Sequence, residues 1–196
     1  MIKGASYLTL ISSTATGFLG YDQMPLTDRK QVVQKAMQQV MDAGTDVSKL
    51  KKEHIEDYKA LFSRQDFSLH TDRSGRTDKL LKDPAAFQAV CELLYHYGKY
   101  LMISGSRRGG QPLNLQGQWN ANIRPAWSSN YTVNINTQMN YWGASLCGLQ
   151  ECLEPYLRMV HEVCKRGEKT AKGQLWLPRL CLQPQCGFVA QKRLLS

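Results

Sequence analysis

The sequence predicts a mainly α-helical fold, because apolar residues recur every three or four positions in three long stretches: Val32 to Met41, Leu50 to Phe62 and Phe87 to Leu101. Turn-forming Gly, Pro, Asn and Asp separate these stretches, and only one short segment alternates as a strand would.

Taken in order, residues 5 to 14 carry that alternation, with Tyr7, Thr9 and Ile11 on one face and Leu8 and Leu10 on the other, but no second strand is available for pairing. The first helix is expected between Thr27, a suitable N-cap, and Gly44, suited to the C-terminal stop, with Val32, Val33, Ala36, Met37, Val40 and Met41 as its stripe. A second, from about Ser48 to Ser63, places Leu50, Ile55, Tyr58, Leu61 and Phe62 on one side and lysines toward water. Residues 65 to 82 are polar and predict a linker or long loop. Asp83-Pro84 has the pattern of an N-cap followed by a first-turn proline and opens a third helix through Phe87, Val90, Cys91, Leu94, Tyr97 and Leu101, ending near Gly105. Helical character resumes over about Asn136 to Leu149, and again after Pro155 through Leu157, Val160, Val163 and Cys164. There are no internal repeats.

The bulk properties exclude several classes. A chain of 196 residues, 42% hydrophobic and 21% charged, is globular rather than disordered, and no apolar run approaches the roughly 18 residues of a membrane span. The net charge of +9 raises the question of a nucleic-acid partner, but Lys51-Lys52 and Arg107-Arg108 are only pairs, so solvated surface charge and no nucleic acid is the expectation. The six cysteines contain no C-x-x-C pair, which argues for buried thiols and against a zinc site; no metal and no cofactor is expected. Residues 1 to 17 lack the unbroken apolar core of a secretory signal, and cellular location is not read from them.

Residues 107 to 130 are dense in Gly, Pro, Asn and Trp, the composition of a functional loop. Within and after it stand Asn114-Leu-Gln-Gly-Gln-Trp-Asn120, Pro125-Ala-Trp127 and Asn130-Tyr-Thr-Val-Asn-Ile-Asn-Thr-Gln-Met-Asn-Tyr-Trp142. Amide side chains donate and accept in one planar group, as sugar hydroxyls do, and indole and phenol faces cover the apolar C–H patches of a sugar ring. In an extended stretch Asn134 and Asn136 share a side, whereas in a helix they diverge by about 200°, so the pair is best used just before a helix begins. The simpler alternative is that Asn134 caps that helix.

These two motifs resemble the signature of glycoside hydrolase family 95, the 1,2-α-L-fucosidase and α-L-galactosidase group. The resemblance extends back through Tyr97-Gly-Lys-Tyr-Leu-Met-Ile-Ser104 and His54-Ile-Glu-Asp-Tyr58, and forward to Gly167-Glu-Lys-Thr-Ala-Lys172. It implies the C-terminal remnant of a β-sandwich over residues 1–24, a helical linker over 25–84 and the first helices of an (α/α)6 barrel over 85–172. It further implies inverting hydrolysis of a fucosylated or L-galactosylated glycan, with Asn134 and Asn136 as catalytic residues that hold the attacking water through their amide oxygens. The aspartate that polarises them and the general-acid glutamate belong to parts of the family beyond Lys172. Glu151 and Glu154 are poor substitutes, since they sit at a helix start where acids favour the dipole. Substrate contacts are expected from Thr132, Trp127, Trp119, Asn120 and Trp142. Many fucose-specific members carry a histidine at the position of Thr132, and a smaller residue there leaves room for the extra hydroxyl of L-galactose.

After Lys172 the resemblance stops. Dropping the first base of Gln174 allows, with synonymous codons, a run similar to what family members carry there, so residues 173–196 are expected to be an out-of-frame tail. Helices cut off from their barrel partners should expose apolar stripes and promote aggregation.

Overall fold

The computed structural model describes residues 4, 6–72, 74–174 and 185–186, with the side chains of 169–174 and 185–186 left undescribed. The predominance of helix agrees with the periodicity. Two compact units are present, residues 1–56 and 57–196.

In the first unit, residues 7 to 16 form no strand. The alternation is real, but a strand is stable only when a partner takes its N–H and C=O groups, and Tyr7, Leu8 and Leu10 stand exposed instead. Helix α1 spans Arg29–Ala43. Its cap is Asp28, one residue later than expected, whose carboxylate accepts from the Lys30 N–H at 2.8 Å. Gly44 ends it, its N–H donating to the Met41 carbonyl at 3.1 Å. Of the expected stripe, Val32, Ala36 and Val40 are half-buried while Val33, Met37 and Met41 are exposed. Helix α2, Val47–Phe62, starts in this unit and ends in the next.

In the second unit the polar stretch 65 to 82 holds a short helix α3, Thr77–Leu80. Asp83 accepts from the Ala85 N–H at 2.9 Å and starts a 3₁₀ turn, Pro84–Ala86, that runs into α4, Phe87–Gly105. The buried side of α4 includes its charges: Glu92 is fully buried and Lys99 nearly so, whereas Phe87, Leu94 and Tyr97 of the apolar stripe are exposed. Buried charge persists only with full hydrogen bonding. Glu92 accepts from the Leu69 N–H at 2.8 Å and the Thr71 hydroxyl at 2.7 Å. Lys99 Nζ donates to the Phe62 carbonyl at 2.8 Å and to that of Gln65, and lies 4.7 Å from the centre of the Phe62 ring. Desolvation lowers the pKa of this ammonium. The polar stretch after α2 is thus fastened to α4 rather than serving as a free linker.

The core gathers Leu61, Met102, Ile103, Leu113, Tyr141, Ala144, Leu149 and Cys152. The helix expected over 136–149 is shorter: α5 spans Asn136–Tyr141. Its continuation is a series of turns closed at Gly148, φ 68°, with the Leu149 N–H donating to the Ala144 carbonyl at 2.8 Å and that of Gly148 to Ser145 at 3.2 Å. This pair is a Schellman-type stop, and its left-handed glycine seats Leu149 in the core, where burial contributes about 2 kcal/mol. A 3₁₀ turn, Gln150–Leu153, leads into α6, Glu154–Gln174. Strand β1, Tyr131–Thr132, pairs antiparallel with β2, Gln185–Cys186, through Tyr131 opposite Cys186 and Thr132 opposite Gln185. The rest of the expected out-of-frame tail, from 175 on, lies outside the described residues. Among the cysteines whose side chains are described, Cys91, Cys147, Cys152 and Cys164 are free thiols, Cys152 fully buried and the others half-buried. Among the described residues no helix is long and apolar enough to cross a membrane, and no three His, Cys, Asp or Glu are grouped to hold a metal.

Candidate functional site

The two amide-rich motifs, separated in sequence, are joined in space by a set of hydrogen bonds that begins in the core. Tyr141, the last residue of α5, is buried and stacked on Tyr156 at 4.9 Å. Its hydroxyl accepts from the Leu113 N–H at 2.9 Å and lies 2.7 Å from Ser106 Oγ. Ser106 has one proton and donates it to the Cys152 carbonyl at 2.8 Å. The Tyr141 hydroxyl must then donate to Ser106. Burial raises the pKa of Tyr141, which keeps that proton in place.

From Leu113 the chain turns at Asn114, whose groups reach in several directions. Its side-chain oxygen accepts from the Gln116 N–H at 2.9 Å and from Ser129 Oγ at 2.9 Å. Its carbonyl accepts from the Gly117 N–H at 3.0 Å and from Asn140 Nδ2 of α5 at 2.9 Å. The Leu115 N–H donates to the Asn130 carbonyl at 3.1 Å, and the Tyr131 hydroxyl to the Pro112 carbonyl at 3.2 Å. Burial, aided by the neighbouring Tyr141, pushes the Tyr131 phenol up to about 12. The turn needs glycine at 117, which has φ 67° and where a Cβ would come within 2.7 Å of the Trp119 ring.

The expected site residues divide into those committed to the fold and those left free. Trp119 lies against Gly117 and Gly105, so one side of its ring is taken up by packing. The Asn120 amide is spent locally, accepting from the Asn122 N–H and donating to the Asn122 carbonyl, both at 2.9 Å. Thr132 is half-buried at the end of β1, and its hydroxyl donates to Asn130 Oδ1 at 2.7 Å, leaving only lone pairs to offer a ligand. Trp127 and Trp142 are 73% and 70% exposed.

Asn134 and Asn136 are both exposed, and among the described residues neither amide has a hydrogen-bond partner. The expected extended run is shorter than the spacing argument required: β1 ends at Thr132, 133 to 135 form a turn and Asn136 already opens α5. The period-two argument for a shared side therefore does not apply. The capping alternative fails as well, because the cap position is Ile135, with φ −167° and ψ −34°. Neighbouring side chains satisfy the turn instead: the buried Thr137 hydroxyl donates to the Thr132 carbonyl at 2.8 Å and Gln138 Nε2 to the Val133 carbonyl at 2.5 Å. This leaves both asparagine amides uncommitted.

The turn before β1 is strained. Trp127, Ser128 and Ser129 have φ values of 54°, 55° and 45°, a left-handed conformation costing about 1–2 kcal/mol per non-glycine residue. The sequence shows the motifs but not the connecting roles of Asn114, Ser129, Asn140 and Tyr141. The one available signal was that Asn140 follows Asn136 by a single helical turn.

Glu151 and Glu154 serve the scaffold. Glu151 forms an ion pair with Arg64 at 2.5 Å, and hydrogen bonding from that guanidinium holds its carboxyl down at about 2. Glu154 accepts from the Gly109 N–H at 3.3 Å and pairs with Arg158 at 3.6 Å. A group with a pKa near 2 is ionised at neutral pH and has no proton to give. Because its folded pKa lies below the ordinary 4.5, the Glu151 pair supports the fold above about pH 4.5, and that support is lost as pH falls toward about 2. Carboxyl carbon NMR should find Glu151 titrating near 2, with Arg64→Ala returning it to about 4; a wild-type midpoint already at the ordinary value would show that the pair does not persist in solution.

The model of the glycosyl hydrolase family 95 catalytic domain matches residues 46–186, running into the stretch beyond Lys172. Alpha-L-fucosidase 2 of Arabidopsis thaliana is 31% identical over 183 residues, covering 87% of this chain and 22% of that protein. Probable alpha-fucosidase A of Aspergillus niger is 39% identical over 132 residues, 64% of this chain and 16% of its own length. The protein of the same name from Aspergillus oryzae is 32% identical over 186 residues, 87% of this chain and 25% of its own. The chain thus spans a quarter or less of the length of these relatives.

Proposed function

Because the chain belongs to glycosyl hydrolase family 95, we propose that it is a piece of an α-L-fucosidase-type hydrolase that removes terminal α-L-fucosyl residues, typically α-1,2-linked, from glycans with inversion. The observation that carries this reading is the pair of exposed amides, Asn134 and Asn136, which have no hydrogen-bond partner among the described residues and stand beside a scaffold in which Asn114, Asn140 and Gln138 are tied to the fold. Their side-chain oxygens accept hydrogen bonds from a water and orient its lone pair toward the anomeric carbon. A neutral amide is too weak a base to take the proton, so a carboxylate must polarise the pair, and a second must protonate the leaving oxygen. Glu151 and Glu154, tied to Arg64 and Arg158, do neither. The chain alone is therefore expected to be inactive.

The domain assignment belongs to the same proposal: residues 1–24 as the remnant of a β-sandwich, 25–84 as a linker, 85–172 as the first part of an (α/α)6 barrel and 173–196 as an out-of-frame tail. The exposed Phe87, Leu94 and Tyr97 of α4 suit a helix whose barrel neighbours lie elsewhere.

One observation favours a second reading, α-L-galactosidase activity. Thr132 is small, and its hydroxyl proton is already given to Asn130, so it presents an acceptor to a sugar hydroxyl such as the one L-galactose carries where fucose has a methyl. In a longer protein carrying this segment, hydrolysis of aryl α-L-fucoside and aryl α-L-galactoside should be compared. Cleavage of the fucoside supports the main reading, a clear preference for the galactoside supports the second, and hydrolysis of neither by a folded protein would leave only a carbohydrate-binding remnant.

A further inference from the structure

We propose that Asn114 and Ser129 are positioning residues that hold the Trp127 ring as a stacking face for the sugar, an inference that rests on the carbohydrate reading above. Strained backbone persists only where its surroundings over-determine it. Three consecutive left-handed residues, one a tryptophan, are a severe case. Packing of the indole does not enforce the conformation, since the ring is 73% exposed. Within the turn the Ser128 N–H donates to the Pro125 carbonyl at 3.1 Å and the Asn130 N–H to that of Trp127 at 3.2 Å. From outside, the left-handed residues themselves are tied by Ser129 Oγ donating to Asn114 Oδ1 at 2.9 Å, and the Asn130 that follows them is held by the Leu115 N–H at 3.1 Å and the Thr132 hydroxyl at 2.7 Å.

That tie leads onward. The Asn114 carbonyl accepts from Asn140, one helical turn beyond Asn136. A single residue therefore connects the strained aromatic turn to the helix that opens with the second candidate amide, and so sets the spacing between ring and amides. An exposed aromatic face held at a fixed spacing from free amides is what a sugar ring requires, with its C–H patch on the indole and its hydroxyls on the amides.

Among the described residues Asn114 engages only the oxygen of its amide, and this makes the test specific. In the 196-residue chain, Asn114→Ala and Ser129→Ala should each speed amide hydrogen exchange across residues 126–132 by about fivefold, the effect of one lost hydrogen bond. Asn114→Asp keeps the acceptor and should exchange as the wild type does. Titration with L-fucose should change the tryptophan fluorescence of the wild type and of N114D, and this response should be weakened in N114A and S129A and most of all in W127F. Unchanged exchange in both alanine variants, or N114D behaving like N114A, overturns the clamp. A wild-type fluorescence response that both alanine variants retain in full also overturns it. No response in a folded wild type, with the exchange pattern as expected, overturns the carbohydrate reading beneath the proposal and not the clamp. Ser129→Ala leaves the Gln116 bond to Asn114 intact, so the test survives if N114A fails to fold.

Discussion

Replacing Asn136 by alanine, in a longer protein that joins this segment to its carboxylates, is expected to lower kcat by about two to four orders of magnitude while KM moves little, the range for loss of a positioned general base. The amide of Asn136 lies at the first residue of α5, uncommitted among the described residues, while Thr137 and Gln138 beside it satisfy the backbone. Alanine is a good helix residue, so the substitution removes the proposed acceptor for the attacking water without disturbing the helix start. Asn134→Ala should behave alike, and the double variant should lose little more than either single one, because on the proposed reading the two acceptors hold one water and act as a unit. Steady-state kinetics on an aryl α-L-fucoside reads this directly. A rise in KM with kcat intact would make the asparagines ordinary sugar contacts and remove the water-holding role.

Tyr141→Phe should destabilise the second unit by about 2 kcal/mol, the cost of a buried donor left without its acceptor. The Leu113 N–H would lose its acceptor in a place closed to water, while Ser106 would keep its bond to the Cys152 carbonyl. The ring itself, stacked on Tyr156, would stay. Tyr141→Ala should cost more, about 3–5 kcal/mol, because a cavity is added to the lost bond. Urea unfolding followed by circular dichroism would show a lower midpoint at an unchanged slope. A phenylalanine variant as stable as the wild type would mean that water reaches the Leu113 amide, and that the link from core to site is looser than the distances imply.

The helices were readable because their information is local. Asp83-Pro84 marked the start of α4 in advance, and the stripe from Val32 to Met41 marked α1, since capping and amphipathic spacing act within a few residues. The errors arose where partners decide. Residues 5 to 14 alternate as a strand does yet form no strand pairing among the described residues, and the helix expected to reach Leu149 stops at Tyr141, with Gly148 taking a left-handed turn that a pattern of apolar residues does not encode. The charged side of α4 faces inward for a similar reason: Glu92 and Lys99 look like solvent residues until the backbone of 62 to 69 and the Thr71 hydroxyl supply their hydrogen bonds.

By itself the sequence determined which chemistry is present. Amides interleaved with aromatics over 114–142 can meet a sugar in any fold that exposes them, and the matching motifs identified the family, because residue type and order survive without coordinates. Only the tertiary structure decided which of those groups are free to act. Asn114, Asn120, Asn134, Asn136 and Asn140 are chemically identical, but the amides of Asn114, Asn120 and Asn140 hydrogen-bond to backbone or side-chain partners, while those of Asn134 and Asn136 have none among the described residues. The physical reason is that a hydrogen-bonding group serves either the fold or a ligand according to what stands within about 3 Å of it, and that neighbourhood is made by residues distant in the chain.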